Sequence, residues 1–203
     1  MEKTEKLVYK PGVTLEGIYK AYSPRFGFLI TDDDHEDVYI GEDNHLNAVN
    51  NDKVEVKTIK GETGRHNTEG RITRVIERAN DTFVCTYEML KDGGEAVPID
   101  EKVDMVIEIP EGQEMEATTG ARVIVEVTEW PGKWTDAKGH VTEVIGYEGD
   151  KGLDIDIIIA QHRLPHVFSD ELMKEADALP REVVPENGVA DFRDLPIVTI
   201  DGP

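Results

Sequence analysis

The chain repeats itself at one fixed offset. Gly70-Arg71-Ile72-Thr73-Arg74-Val75-Ile76 aligns with Gly139-His140-Val141-Thr142-Glu143-Val144-Ile145, 69 residues further on. The same offset lays Val54 and Val56 over Val123 and Val125, and Val38 and Ile40 over Ile107 and Ile109. Three blocks in one register restrict the chain to two copies of one unit, each of about 65–70 residues. Inside each copy the apolar residues alternate with polar ones, as in Val54-Glu55-Val56-Lys57 and Val123-Ile124-Val125-Glu126-Val127. That period belongs to half-buried strands, and Gly, Pro, Asn and Asp clusters separate the runs. Strands are expected at Val13–Lys20, Phe26–Thr31, Asp37–Ile40, Lys53–Ile59 and Glu69–Glu77. A second series is expected at Thr82–Glu88, Met105–Ile109, Arg122–Glu129 and Gly139–Gly146. The reading is a mainly β chain of two tandem five-stranded domains, residues 13–80 and 81–147, after a tail of residues 1–12.

Beyond Tyr147 the pattern changes. Asp154 ahead of Ile155, Ile157, Ile158 and Ile159 predicts a capped, mostly buried short helix that ends before Pro165. Ser169-Asp170-Glu171 opens a second helix to about Leu179, with acidic residues at its positive end and Pro180 to stop it. Arg181 to Arg193 reads as a linker. Leu195 to Ile200 reads as a new strand with nothing after it to pair with, the mark of a truncated protein.

Charge limits what such domains can bind. The chain carries 22 basic and 43 acidic side chains, a net charge of −21. Affinity for nucleic acid rests on Lys and Arg neutralising phosphates, so this balance argues against it. The charge is unevenly spread, however: residues 1–80 have a net charge of −3 and residues 81–203 of −18. Any nucleic-acid surface is therefore expected in the first domain, with the acidic remainder solvated or facing a partner. No apolar run approaches the roughly 20 residues of a membrane span, and the N-terminus lacks a signal-peptide core. A lone cysteine, Cys85, points to a reducing cytoplasm.

The first copy holds the residues that suit such a surface. Phe26 and Phe28 are two apart and so leave one face of a strand, with Gly27 between them. Tyr39, in Asp37-Val38-Tyr39-Ile40, can join them from the neighbouring strand. Lys20, Arg25, Lys53 and Lys57 flank the three rings. Aromatics on an open sheet with cations beside them form a stacking platform for unpaired bases. The alternative is that the rings face a core, but Leu29, Val38 and Ile40 already supply the opposite face.

Arg25-Phe26-Gly27-Phe28 with Asp37-Val38-Tyr39-Ile40 resembles the paired ribonucleoprotein motifs of cold-shock domains, which are five-stranded oligonucleotide-binding (OB) barrels. Two such barrels in tandem are similar to the N-terminal half of the ribonuclease R/ribonuclease II family. Glu69–Asn80, Gly149–Leu164 and Asp191–Gly202 resemble that family's inter-domain strand, bridging helix and approach to the nuclease domain. The resemblance implies a single-stranded RNA-binding region that guides RNA to a 3′-to-5′ exonuclease domain. It also implies that Asp201 opens a carboxylate cluster holding Mg2+ in the complete enzyme. The rest of that cluster is absent here, so the chain alone is expected not to hydrolyse RNA and to need no cofactor.

The chain departs from the pattern in places. The tryptophan of free cold-shock proteins is missing, with Tyr19 and Tyr22 its nearest aromatic neighbours, and Gly41 stands where a histidine is often found. In the second copy Gly93-Gly94-Glu95 occupies the Phe-Gly-Phe position and Glu108 that of Tyr39. That domain is expected to keep its barrel and to have lost its platform. A free-standing cold-shock-like RNA chaperone and an acidic protein-interaction module are the alternatives. Asp32 to Asp37 reads as a solvated turn rather than a cation site, and His162 and His166 as unconnected. Trp130 and Trp134 flank a Pro-Gly turn and could stack on RNA, but packing under the loop of the second barrel is the expectation.

Overall fold

The computed structural model describes residues 7–31, 34–59, 68–132, 134–179, 192 and 194–198. Among these residues it contains ten strands, two α-helices and one short 3-10 helix, Glu42–Asn44. In the first barrel β1 spans Thr14–Ser23, β2 Phe26–Ile30, β3 Val38–Gly41, β4 Lys53–Ile59 and β5 Glu69–Glu77. They close in the order β1-β2-β3-β5-β4. In the second, β6 spans Thr82–Leu90, β7 Gly93–Pro98, β8 Ile107–Ile109, β9 Arg122–Glu129 and β10 Ala137–Gly146. They close in the order β10-β8-β7-β6-β9. Each barrel is antiparallel except for one parallel seam, β3 with β5 and β8 with β10. Closure leaves no sheet edge exposed to pair with another chain.

The sequence repeat has a packing cause. Gly70 lies so close to Val56 and Val38 that a Cβ there would meet their methyl groups at 2.5 and 2.7 Å. Gly139 lies over Val125 and Ile107 in the same way, with a Cβ meeting each at 3.0 Å. All three matched blocks therefore converge on one point of each barrel, where two strands approach too closely for a side chain. Inward-facing residues fill the rest: Tyr19, Leu29, Val38, Ile40, Val54, Val56 and Ile72 in the first barrel. Tyr87, Ile107, Ile109, Val123, Val125 and Val141 do so in the second. Cys85 lies in this second core, and burial pushes its thiol up to about 12.

Strand β7 is absent from the strands read off the sequence. Two glycines and a proline in six residues carry no strand propensity. The segment is strand because it completes the barrel between β6 and β8.

Helix α1, Leu153–Gln161, packs on β6 and β10. Two expectations for it are corrected. Its N-cap is Gly152 in the left-handed conformation, φ 89°, and Asp154 lies inside the first turn, where it still favours the helix dipole. Nor is it buried: Ile155 and Ile158 are 59% and 51% exposed, because a four-isoleucine run surrounds the helix instead of forming one stripe. Arg163, just past α1, is held by Asn80 and Thr82 and lies 3.7 Å from Asp81, on the link between the barrels.

Residues 165–203 form a separate unit. Helix α2, Asp170–Ala178, starts as expected: the Ser169 hydroxyl accepts a hydrogen bond from the Leu172 amide at 3.3 Å. Leu195 to Val198, expected to begin a strand, form none and are exposed, since no neighbouring strand supplies a ladder. The remainder of that expected strand and the linker from Arg181 to Asp191 lie outside the described residues.

Candidate nucleic-acid interface

Tyr39 on β3, Phe28 on β2 and Lys20 on β1 stand in one row across three paired strands. Their inward neighbours Val38, Ile40, Leu29, Gly27, Tyr19 and Ala21 are buried. The rings therefore occupy the outer face and are not part of the core. Phe26, one same-face step from Phe28, lies opposite Gly41. A Cβ at Gly41 would meet the Tyr39 ring at 3.5 Å, an ordinary van der Waals contact, so the ring lies over this position beside Phe26.

A fourth ring joins them. The β1–β2 register slips between Ala21 and Ser23, and Tyr22 is the residue taken up by the bulge. Bulges re-aim side chains, and Tyr22 lies parallel to Phe26, centroids 6.1 Å apart and planes 8° apart. Phe26 also stacks with Tyr39 at 5.9 Å and 27°. Phe28 meets Tyr22, Phe26 and Tyr39 edge-on at 5.5, 6.1 and 5.6 Å. Edge-to-face contacts of this kind hold rings in place without burying them, each contributing about 0.5–1.5 kcal/mol. Tyr22 remains 62% exposed. Its signal in the sequence was its place two residues after Lys20, in the outward phase of β1.

Gly27 fixes the platform's floor. A Cβ there would drive into the Lys20 carbonyl and the ring of Tyr19 beneath. Burial raises the Tyr19 hydroxyl to about 12, so it stays neutral under the stacking face.

The four cations selected from the sequence are not equivalent. Lys20 shares the row of Phe28, and its ammonium donates to the Asn51 side chain. Arg25 sits in the turn between Tyr22 and Phe26. Lys53 pairs with Ile18, one same-face step along from Lys20. Lys57 pairs with Thr14 and Arg71, out of the aromatic row. None of the four forms an ion pair among the described residues, so each charge is available to a phosphate. Arg71, which the sequence reading passed over, is exposed on β5 two residues beyond the partner of Tyr39 and donates to Asn44 at 2.8 Å.

The second barrel repeats this geometry with opposite chemistry. Gly94 covers the Tyr87 ring as Gly27 covers Tyr19. Where the first barrel has Lys20, Phe28 and Tyr39, the equivalent row is Glu88, Glu95 and Glu108, all exposed. Like charges directly opposite on a sheet destabilise it and repel phosphate.

The barrels meet through Arg78, which follows β5. Its guanidinium donates to the buried Asp52 carboxylate at 2.8 Å and to Asn47 at 2.7 Å, and lies 3.5 Å over the Trp130 ring. Trp130 is also edge-on to Phe83 at 6.1 Å. Trp134, by contrast, is 87% exposed. After β2, Asp37 accepts from the Thr31 amide at 3.3 Å, and Asp32 and Asp33 of the expected turn lie outside the described residues. No three His, Cys, Asp or Glu side chains converge for a metal among the described residues, and Asp201 lies outside them.

Residues 17–75 match the Ribonuclease B OB domain, and residues 96–169 match the Cold shock domain. Ribonuclease R of Acidithiobacillus ferrooxidans is 31% identical over 193 residues, covering 93% of this chain. Ribonuclease R of Escherichia coli (strain K12) is 30% identical over 190 residues, also covering 93%. The chain spans 44% and 23% of those two proteins' lengths. Its fold is that of Mycoplasma genitalium RNase R in the apo form, with TM-score 0.69 and 17% identity over 83% of this chain and 27% of that one. Yeast Ssd1, a pseudonuclease, shares the fold at TM-score 0.61 and 16% identity, over 75% of this chain and 27% of its own. Two OB barrels, each matching a domain of this type, and similarity along nearly the whole chain place the protein in the ribonuclease R family, as an N-terminal region of tandem cold-shock-type barrels.

Proposed function

We propose that this chain binds single-stranded RNA on the outer face of its first barrel. In the longer proteins it resembles, it would guide that RNA toward a 3′-to-5′ exonuclease domain. The observation that carries this is the four-ring cluster of Tyr22, Phe26, Phe28 and Tyr39, bordered by Lys20, Arg25 and Lys53. Aromatic faces accept any unpaired base, while cations at the border track the backbone. M. genitalium RNase R, which shares the fold, has also been solved in complex with ribose methylated single-stranded RNA. Catalytic magnesium would be held beyond this region, with Asp201 as one ligand. Cytoplasmic residence suits a chain whose single thiol is buried and unpaired.

Equilibrium binding of a labelled oligouridylate tests the reading. The single strand should bind more tightly than a duplex of the same length, since paired bases cannot stack on the rings. With three or four cations in reach, log K should fall with log salt at a slope of about −2 to −3. Equal affinity for duplex, or no saturable binding, would overturn it.

A further inference from the structure

The connector between β9 and β10, Trp130 to Asp136, carries an exposed indole, Trp134, that the platform does not account for. Trp134 is 87% exposed, yet the connector around it is braced at several points. Trp130 is clasped between Arg78 and Phe83. The Pro131 carbonyl accepts from Asn47 of the first barrel at 2.9 Å. The Gly132 amide donates to the Thr135 carbonyl and hydroxyl at 3.0 and 3.1 Å, closing a turn with Trp134 inside it. A braced turn that presents an exposed indole loses little freedom when the indole is covered.

Its position relates it to the platform. Pro131 lines a cleft of about 60 Å³ between the barrels together with Ser23 and Pro24. Ser23 and Pro24 are the turn that joins Tyr22 to Arg25 and Phe26. Three residues of chain span at most about 11 Å, so Trp134 stays close to that cleft. The Tyr22–Phe26 end of the platform therefore borders the second barrel here. The sheet face of that barrel is closed to phosphates by Glu88, Glu95 and Glu108, which makes the connector the open route.

We propose that Trp134 is a second stacking position for the same RNA strand, taking a base that has passed the platform. This rests on the RNA-binding reading above. An indole stacks on any base and needs no phosphate contact, which fits an acidic barrel.

The test uses the full chain with oligouridylates of 5 and 12 nucleotides. Trp134→Ala should weaken the 12-mer about five- to a hundredfold, the range base–aromatic stacking provides. It should leave the 5-mer unchanged and the chain folded. Trp134→Phe should retain most of the 12-mer affinity. The chain has two tryptophans, so the 12-mer should quench wild-type indole fluorescence and leave Trp134→Phe, which keeps only Trp130, nearly unquenched. Phe28→Ala should weaken both lengths, which isolates the platform. If Phe28→Ala weakens binding while Trp134→Ala and the fluorescence do not respond, the platform stands and Trp134 is no stacking position. Such an indole would then serve a protein contact. No binding by wild type would overturn both proposals.

Discussion

Replacing Arg78 with methionine is expected to lower the stability of the chain by about 3–5 kcal/mol, the cost of breaking a buried ion pair from one side. The Asp52 side chain is fully buried. Besides Arg78 it accepts, among the described residues, only backbone amides, those of Val49 at 3.0 Å and Ala79 at 2.9 Å. Burial also draws the Arg78 guanidinium below its usual range, with the charge of Asp52 opposing that shift. Methionine keeps much of the side chain's length but leaves the carboxylate charged and without a cation. It also removes the contact over Trp130, which links the barrels and which cation–π interactions place at about 0.5–2 kcal/mol. Urea unfolding measures the loss. Adding Asp52→Asn to the variant should recover part of it, because the uncompensated charge is gone. A loss below about 1 kcal/mol would show that the pair does not hold this junction together.

Alanine at Phe26, Phe28 or Tyr39 is expected to cost about 1–3 kcal/mol of single-stranded RNA affinity each. The rings touch one another, so paired replacements should not add. Folding should persist, because the core beneath is made by Tyr19, Leu29, Val38 and Ile40. Tyr22→Ala belongs in the same series. Circular dichroism with a binding isotherm for each variant separates the two possibilities. Variants that unfold, or that fold and bind unchanged, would mean the rings serve the barrel and not a ligand.

The fold was legible because the repeat has a single packing origin. Gly70 with Val56 and Val38, and Gly139 with Val125 and Ile107, cannot drift apart in sequence without breaking a barrel. The parts that were not legible have tertiary causes. Strand β7 is glycine-rich because the Tyr87 ring fills the space under Gly94, a constraint set from another strand. Alternation puts Tyr22 on the outer face of β1, but its stacking on Phe26 occurs at a bulge, and local alternation cannot locate a bulge. Arg78 and Trp130 come from different barrels, and no pattern around either residue predicts their contact. Helix α1 looked buried because isoleucine is usually interior, yet its run of isoleucines faces several directions. Net charge pointed away from nucleic acid because it sums two barrels whose equivalent rows, Lys20-Phe28-Tyr39 and Glu88-Glu95-Glu108, differ in sign.

The two rows should therefore differ in RNA contact, which can be mapped on the intact chain. Backbone amide chemical shifts would be followed by NMR while an oligouridylate is added. Shifts are expected to concentrate in Lys20–Phe28 and Val38–Gly41, with Glu88–Ala96 and Ile107–Ile109 nearly still. Shifts concentrated on the second barrel's glutamate row, with the four rings unaffected, would contradict this expectation.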